Sequence, residues 1–175
     1  YDWRGNVVHN WDNESFDEHY EYNVYDNQVT VTNSLGEKTT IEYDELQRIT
    51  SVTEADGNTV SYTYDDAGNI ASSKDEEGKE TVYTYDKNGN LLSALDSFNR
   101  EWTYEYDALG KLQSITSPDG GLTLYRYDLL GNLTSVTDPE GYVQSYGYNA
   151  LSFMVMQTDA NGNTTLMDYD ALGRI

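Results

Sequence analysis

The stretch Tyr62-Thr63-Tyr64-Asp65-Asp66-Ala67-Gly68-Asn69-Ile70 decides the fold. Leading into it, Val60, Tyr62 and Tyr64 alternate with Thr59, Ser61 and Thr63, the period of two that marks a strand with one apolar face. Asp65-x-x-Gly68 then supplies what a type I turn asks for. The carboxylate accepts from backbone N–H groups inside the turn, and the glycine takes the left-handed conformation that closes it. Ile70 opens a returning strand, so the stretch reads as a β-hairpin.

The pattern returns every 21 residues. Tyr1, Tyr22, Tyr43, Tyr64, Tyr85, Tyr106, Tyr127, Tyr148 and Tyr169 keep the interval with no insertion or deletion. Two places earlier stand Tyr20, Tyr62, Tyr83, Tyr104, Tyr125 and Tyr146, with Ile41 and Met167 in the remaining slots, so the tyrosine excess is positional. After the main tyrosine come Asp2, Asp44, Asp65, Asp86, Asp107, Asp128 and Asp170, replaced by Asn23 and Asn149 in two repeats. The turn glycine follows as Gly5, Gly68, Gly89, Gly110, Gly131 and Gly173. Ten residues on, a second turn signal recurs, as in Asp75-Glu76-Glu77-Gly78 and Ser117-Pro118-Asp119-Gly120. Pro118 and Pro139 both sit at the second turn position, where their fixed φ is favourable. Between the two turns lie segments of six and seven residues, which are strand lengths and too short for helices.

The seven-residue segment alternates cleanly, with Trp102, Tyr104 and Tyr106 against Glu101, Thr103 and Glu105. In the six-residue segment the apolar positions are Ile70, Leu91, Leu112, Leu133 and, three places later, Val52, Ala94, Ile115, Val136. These fall on opposite faces of a regular strand, so either a bulge shifts the parity or both faces are partly covered. Two strands per repeat give about 17 strands in an antiparallel meander, more than the ~10 that open twisted sheets usually hold without curling or splitting. The expected fold is therefore all-β, a long curled or spiralling sheet of hairpin repeats. Its tyrosine face should be dry and its Thr, Ser, Glu and Asp face wet.

Composition points another way until the repeat is seen. The 175 residues include 31 Asp and Glu against 10 Lys and Arg, a net charge of -21, and few aliphatics, the usual mark of disorder. The in-register tyrosines argue for a fold instead. Such a charge disfavours nucleic acid and anionic membrane surfaces as partners. No apolar run approaches the ~18 residues of a membrane span. Absence of cysteine excludes disulfides and thiolate metal sites. Tyr1 opens no signal peptide, so the chain is expected to be a piece of a longer protein.

The whole of 1–175 reads as one array of about eight repeats, with 1–42 and 148–168 divergent. In the first repeat Trp11, Phe16 and His19 stand where others have Ser, Thr or Gly, and in the second Asp26 replaces the turn glycine. Near the other end Asn149, Ser152 and Phe153-Met154-Val155-Met156 depart from the pattern. Such departures mark altered packing or a contact surface.

No catalytic, cofactor or metal residue is assigned. His9 and His19 are the only imidazoles, without a Cys or Ser motif beside them, and read as surface or packing residues. The column Ser51, Ser72, Ser93, Ser114, Ser135 reads as a polar strand face. A row of turn aspartates could bind calcium if several shared oxygen ligands, but each more simply caps its own turn. Aromatics among carboxylates also resemble a sugar-binding surface, with Trp102 and Tyr104 its natural test positions; paired rings on one face more often form core. The structural load is assigned to Tyr43 and Asp44; Tyr62, Tyr64, Asp65 and Gly68; Tyr83, Tyr85, Asp86 and Gly89; Tyr104, Tyr106, Asp107 and Gly110; Tyr125, Tyr127, Asp128 and Gly131.

Tyr62 to Ile70, Tyr83-Thr84-Tyr85-Asp86-Lys87-Asn88-Gly89-Asn90-Leu91 and Tyr125-Arg126-Tyr127-Asp128-Leu129-Leu130-Gly131-Asn132-Leu133 resemble the YD repeat, also called the Rhs repeat, in its Tyr-x-Tyr-Asp-x-x-Gly-Arg-Leu form. Arg48 and Arg174 keep the family arginine, and elsewhere Asn is usual. The resemblance implies a large secreted or cell-surface protein of the kind found among bacterial polymorphic toxins, toxin-complex subunits, wall-associated proteins and teneurins. It further implies a β-ribbon spiralling into a hollow shell that encloses a C-terminal toxic domain. The shell would be a non-enzymatic container whose partners are the rest of its own chain and that enclosed domain. A cell-surface adhesion or glycan-binding module is the alternative. Asp138-Pro139-Glu140-Gly141 resembles part of the family's self-cleavage motif, but Leu133 stands where its proline would be, so cleavage is not carried over.

Overall fold

The structure, a computed structural model, describes residues 1–12 and 17–175, so Phe16 lies outside the described residues. Among the described residues there is no helix, and sixteen strands follow one another in sequence order as hydrogen-bonded neighbours. They are β1 (His9–Trp11), β2 (Asp17–Tyr22), β3 (Gln28–Thr32), β4 (Lys38–Tyr43), β5 (Ile49–Thr53), β6 (Thr59–Tyr64), β7 (Ile70–Lys74) and β8 (Glu80–Tyr85). The rest are β9 (Leu91–Leu95), β10 (Glu101–Tyr106), β11 (Leu112–Thr116), β12 (Leu122–Tyr127), β13 (Leu133–Thr137), β14 (Val143–Tyr148), β15 (Met154–Thr158) and β16 (Thr164–Leu166). The chain divides into two compact units, Tyr1–Tyr83 and Thr84–Ile175.

In the first unit every pairing is antiparallel, and a β-bulge interrupts each hairpin that carries a Tyr-Asp or Tyr-Asn turn. Tyr64 lies opposite Ile70 and Thr63 opposite Ser72, which leaves Ala71 as the extra residue; Thr50 and Val29 are its equivalents in β5 and β3. The second unit repeats the device, with Gln113, Thr134 and Val155 as the extra residues. A bulge adds one residue to one strand and so resets its alternation. That settles the parity of the shorter strand. Ile70 and Ser73 both share the face of Tyr62 and Tyr64, while Ser72 shares the face of Thr63.

Pairing between repeats is shorter. β5 meets β6 through three residue pairs, from Ser51–Ser61 to Thr53–Thr59, and β3 meets β4 through three as well. The second unit has the same limit at β11–β12 and β13–β14.

The core differs from the dry tyrosine lining expected of the sequence. Apart from the exposed Tyr1, the repeat tyrosines are half-buried; among the described residues the one buried hydrophobic residue is Ala94, and no large side chain is fully buried. Thr30, Ser51, Ser72 and Ser114 are buried instead, and they lie on the opposite, polar face. Two physical reasons account for this. Strand contacts within each unit run between sequence neighbours, so among the described residues of a unit no second layer covers the tyrosines. A short hydroxyl side chain in mid-sheet is meanwhile overshadowed by longer flanking ones, Glu42 beside Ser51, Thr63 and Val82 beside Ser72, Glu105 and Leu124 beside Ser114.

Candidate functional site

Each Tyr-Asp turn is organised by one carboxylate. Asp44 Oδ1 accepts from the N–H groups of Leu46 and Arg48 at 2.9 Å, and its Oδ2 accepts from Arg48 Nε at 2.7 Å. Asp65, Asp86 and Asp128 accept in the same way from the N–H and the side-chain amide of Asn69, Asn90 and Asn132. Asp107 holds the N–H groups of Leu109 and Lys111. The backbone closes behind them: Gly68 donates to the Asp65 carbonyl at 3.0 Å, and Asp65 donates to the Asn69 carbonyl at 2.9 Å. Gly68, Gly89, Gly110 and Gly131 have φ of 93°, 84°, 78° and 90°, the left-handed region that only glycine enters freely. The exchange of Arg for Asn after the glycine thus has a cause, since either supplies a planar N–H donor to the second carboxylate oxygen.

These bonds favour the ionised carboxyl. The Asn69, Asn90 and Asn132 side-chain amides are the main reason that Asp65, Asp86 and Asp128 lie below the usual aspartate range. For Asp44 and Asp170 the largest cause is the N–H of Arg48 or Arg174. Every turn aspartate is engaged within its own turn.

The same residues reach into the next repeat. Beyond the three-pair ladder, the Tyr64 hydroxyl donates to the Ile49 carbonyl at 2.6 Å, Tyr43 to Gln28 at 2.8 Å and Tyr22 to Val7 at 2.9 Å. In the second unit Tyr169 does the same to Met154 at 2.8 Å. Tyr106, Tyr127 and Tyr148 keep their place on the face without this bond, and burial pushes their phenols up, as it does Tyr43. The Arg48 guanidinium lies 4.2 Å from the centre of the Tyr64 ring, and Lys111 Nζ lies 5.2 Å from that of Tyr127. Adjacent turns touch as well, with Asn27 Nδ2 2.8 Å from Gln47 Oε1 and Asn132 Nδ2 3.1 Å from Ser152 Oγ. One joint therefore combines a short ladder, a phenol bonded to backbone, and a basic or amide side chain lying over the next turn.

Where the glycine is missing the backbone does not change. Asp26, Gln47, Asn99 and Ser152 occupy its slot with φ of 65°, 65°, 64° and 62°. A left-handed non-glycine residue costs about 1–2 kcal/mol. Ser152→Gly is accordingly expected to raise the melting temperature by roughly 1–3 °C, relief of the backbone being partly offset by loss of the bond from Asn132 Nδ2 to Ser152 Oγ. Gly68→Ala is expected to lower it by a similar amount through conformation alone, because the nearest atom to an added Cβ is Arg48 Nη1 at 3.7 Å. Differential scanning calorimetry checks both.

The remaining sequence candidates fall as follows. Tyr62, Tyr83, Tyr104 and Tyr125 share the main tyrosines' face half-buried, and only Tyr83 among them bonds its hydroxyl, to Ser73 Oγ at 3.0 Å. The Tyr85 ring is half-buried at the end of β8. The serine column is bonded across the polar face, Ser51 to Glu42, Ser72 with Thr63 and Ser114 to Glu105. Trp102 is half-buried with the Arg100 guanidinium 5.9 Å from its ring. A groove of about 1200 Å³ in the first unit is lined by Trp3, Tyr22, Tyr25 and Tyr43, with Arg4 and Asp44 beside them. His9 and His19, treated separately in the sequence, are brought face to face across β1 and β2 with Asp17. Only strand register could have revealed that grouping.

The chain resembles toxin-complex proteins in fold. It superposes on the crystal structure of TcdB2-TccC3-TEV with a TM-score of 0.75 and 18% identity, covering 89% of this chain and 10% of that one. TcdB2-TccC3 without its hypervariable C-terminal region gives 0.74 at the same identity and coverage. A TccC3-mutant Photorhabdus luminescens Tc holotoxin pore gives 0.72 at 18%, covering 86% and 9%. The chain thus spans about a tenth of these proteins. No curated protein matches it. The sequence model described as Teneurin YD-shell, however, matches residues 1–175, every residue present, and the chain belongs to the Teneurin YD-shell family.

Proposed function

We propose that this chain is a length of shell wall in a secreted or cell-surface protein, without catalysis of its own, and that the shell encloses a toxin or effector domain carried by the same polypeptide. The observation that carries this is the family match along all 175 residues, in a chain whose recurring side chains close each turn or join one repeat to the next. The similar folds of proteins solved as toxin complexes support the enclosed partner. Limited proteolysis of the full-length protein tests it. A C-terminal domain should resist protease while the wall is folded and be cut rapidly once Asp65, Asp86 and Asp128 are replaced by Ala. Equal cleavage in both proteins, or no separate domain at all, would contradict enclosure. A glycan-binding face is the second reading, favoured by the half-exposed aromatic face and its groove. Saturable glycan binding by a protein lacking an enclosed domain would favour it over the container.

A further inference from the structure

We propose that His9, Asp17 and His19 form a binding site for a divalent transition metal ion such as Zn²⁺, placed on the polar face of the β1–β2 hairpin. The site is independent of the shell reading, since it draws on none of the repeat-defining residues. His9 and His19 are directly opposite one another across the two strands, and Trp11 is opposite Asp17 two pairs further on, past Asn10 and Glu18. The pleat therefore points both imidazoles and the carboxylate to the same side. The rings of His9 and His19 are stacked, centroids 4.1 Å apart and planes 9° from parallel, and Trp11 stacks on His9 at 4.5 Å. Both imidazoles turn Nε2 toward one oxygen: His9 Nε2 is 2.6 Å and His19 Nε2 is 3.5 Å from Asp17 Oδ1. All three donor atoms lie within 4.8 Å of one another.

The magnitudes suit a small ion. Ligand bonds of ~2.0–2.1 Å in tetrahedral geometry put donor atoms about 3.4 Å apart. The His19–Asp17 separation already meets this, and the His9–Asp17 separation meets it after opening by under an ångström; the stacked imidazoles must also tilt so that both ring planes contain the ion, a movement open to side chains that are about half exposed. Two imidazoles and one carboxylate without thiolate suit Zn²⁺, Co²⁺, Ni²⁺ or Cu²⁺, and they do not suit Ca²⁺, which takes six or more oxygens. Three protein ligands leave the fourth position for water or an incoming group. Net charge of -21 attracts any cation to the chain. Because the ligands come from two strands, the ion would pin β1, a strand of three residues, to β2.

Isothermal titration of residues 1–175 with ZnCl₂ in 150 mM NaCl, repeated with CaCl₂, tests the site. One saturable Zn²⁺ per chain is expected, weakened at least tenfold by His19→Gln and by Asp17→Asn, with no matching Ca²⁺ event. Co²⁺ should give the visible absorption of a tetrahedral ion, lost in the same variants. Circular dichroism of each metal-free variant guards against misfolding, and His9→Gln replaces any variant that fails it. No saturable Zn²⁺ binding, binding unchanged in the variants, or equal uptake of Ca²⁺ would overturn the proposal.

Discussion

As pH is lowered from 7 to 2, resistance to urea is expected to rise slightly and then to collapse, with the collapse confined to pH below about 4. Two effects act in separate windows. Self-repulsion among 31 acids and 10 bases weakens as the net charge approaches zero near pH 4.1, which favours the folded chain. Below that point the turn carboxylates take up protons. Asp44, Asp65, Asp86, Asp128, Asp159 and Asp170 all titrate lower when folded than unfolded, so the unfolded chain binds protons first. The stability they supply is fully present above the unfolded value and is lost as pH falls through the folded ones. Six turns lose it together, which makes this the largest effect expected. Asn23 and Asn149 already hold their turns with an uncharged oxygen, Asn149 Oδ1 accepting from Leu151 and Phe153 at 2.9 and 3.0 Å. Replacing Asp65, Asp86 and Asp128 by Asn should therefore leave the chain folded at pH 7 and flatten the acid limb of the curve. Urea midpoints at pH 7, 5, 4, 3 and 2 measure it, and an acid limb unchanged by the three substitutions would count against the turn carboxylates.

The second large effect concerns the phenol hydroxyls. Replacing Tyr22, Tyr43 and Tyr64 together by Phe keeps the rings and removes their bonds to Val7, Gln28 and Ile49. At about 1 kcal/mol per bond and ~2–4 °C per kcal/mol for a chain of this length, the melting temperature should fall by roughly 6 °C, the lower end because two of these bonds are exposed. Tyr62, Tyr104 and Tyr125 make no hydroxyl bond among the described residues, so their joint replacement by Phe should change it by no more than ~1–2 °C. A drop of equal size in both triple variants would show that the phenols act through general packing.

The interval of 21, the hairpins, the turn type and the family were all legible in the sequence because each rests on local chemistry repeated without a gap. The bulge was not. Its residues, among them Val29, Thr50, Ala71, Gln113 and Thr134, share no property, since an extra residue in a strand is defined by what lies across from it. The serine column reads as a polar strand face, and its burial was not legible, for a related reason. Their cover comes from lateral neighbours such as Glu42 and Leu124, and sequence alternation sees one strand at a time. His9, Asp17 and His19 are separated in the chain by eight and two residues, so only the β1–β2 register joins them. The tyrosines were rightly placed on one face, but the dry lining was inferred from the curling of a long sheet, and within each unit the rings are covered only in part, by neighbours such as Ile70 and Arg48.

The central claim is that repeats are held to one another by a joint distinct from the hairpin within each repeat. Amide hydrogen exchange in the Tyr22, Tyr43 and Tyr64 to Phe variant, resolved strand by strand, tests it most directly. Faster exchange along the β3–β4 and β5–β6 ladders, with the β4–β5 and β6–β7 hairpins still protected, is the predicted result. Exchange that rises evenly over all four pairings, or does not change, would contradict it.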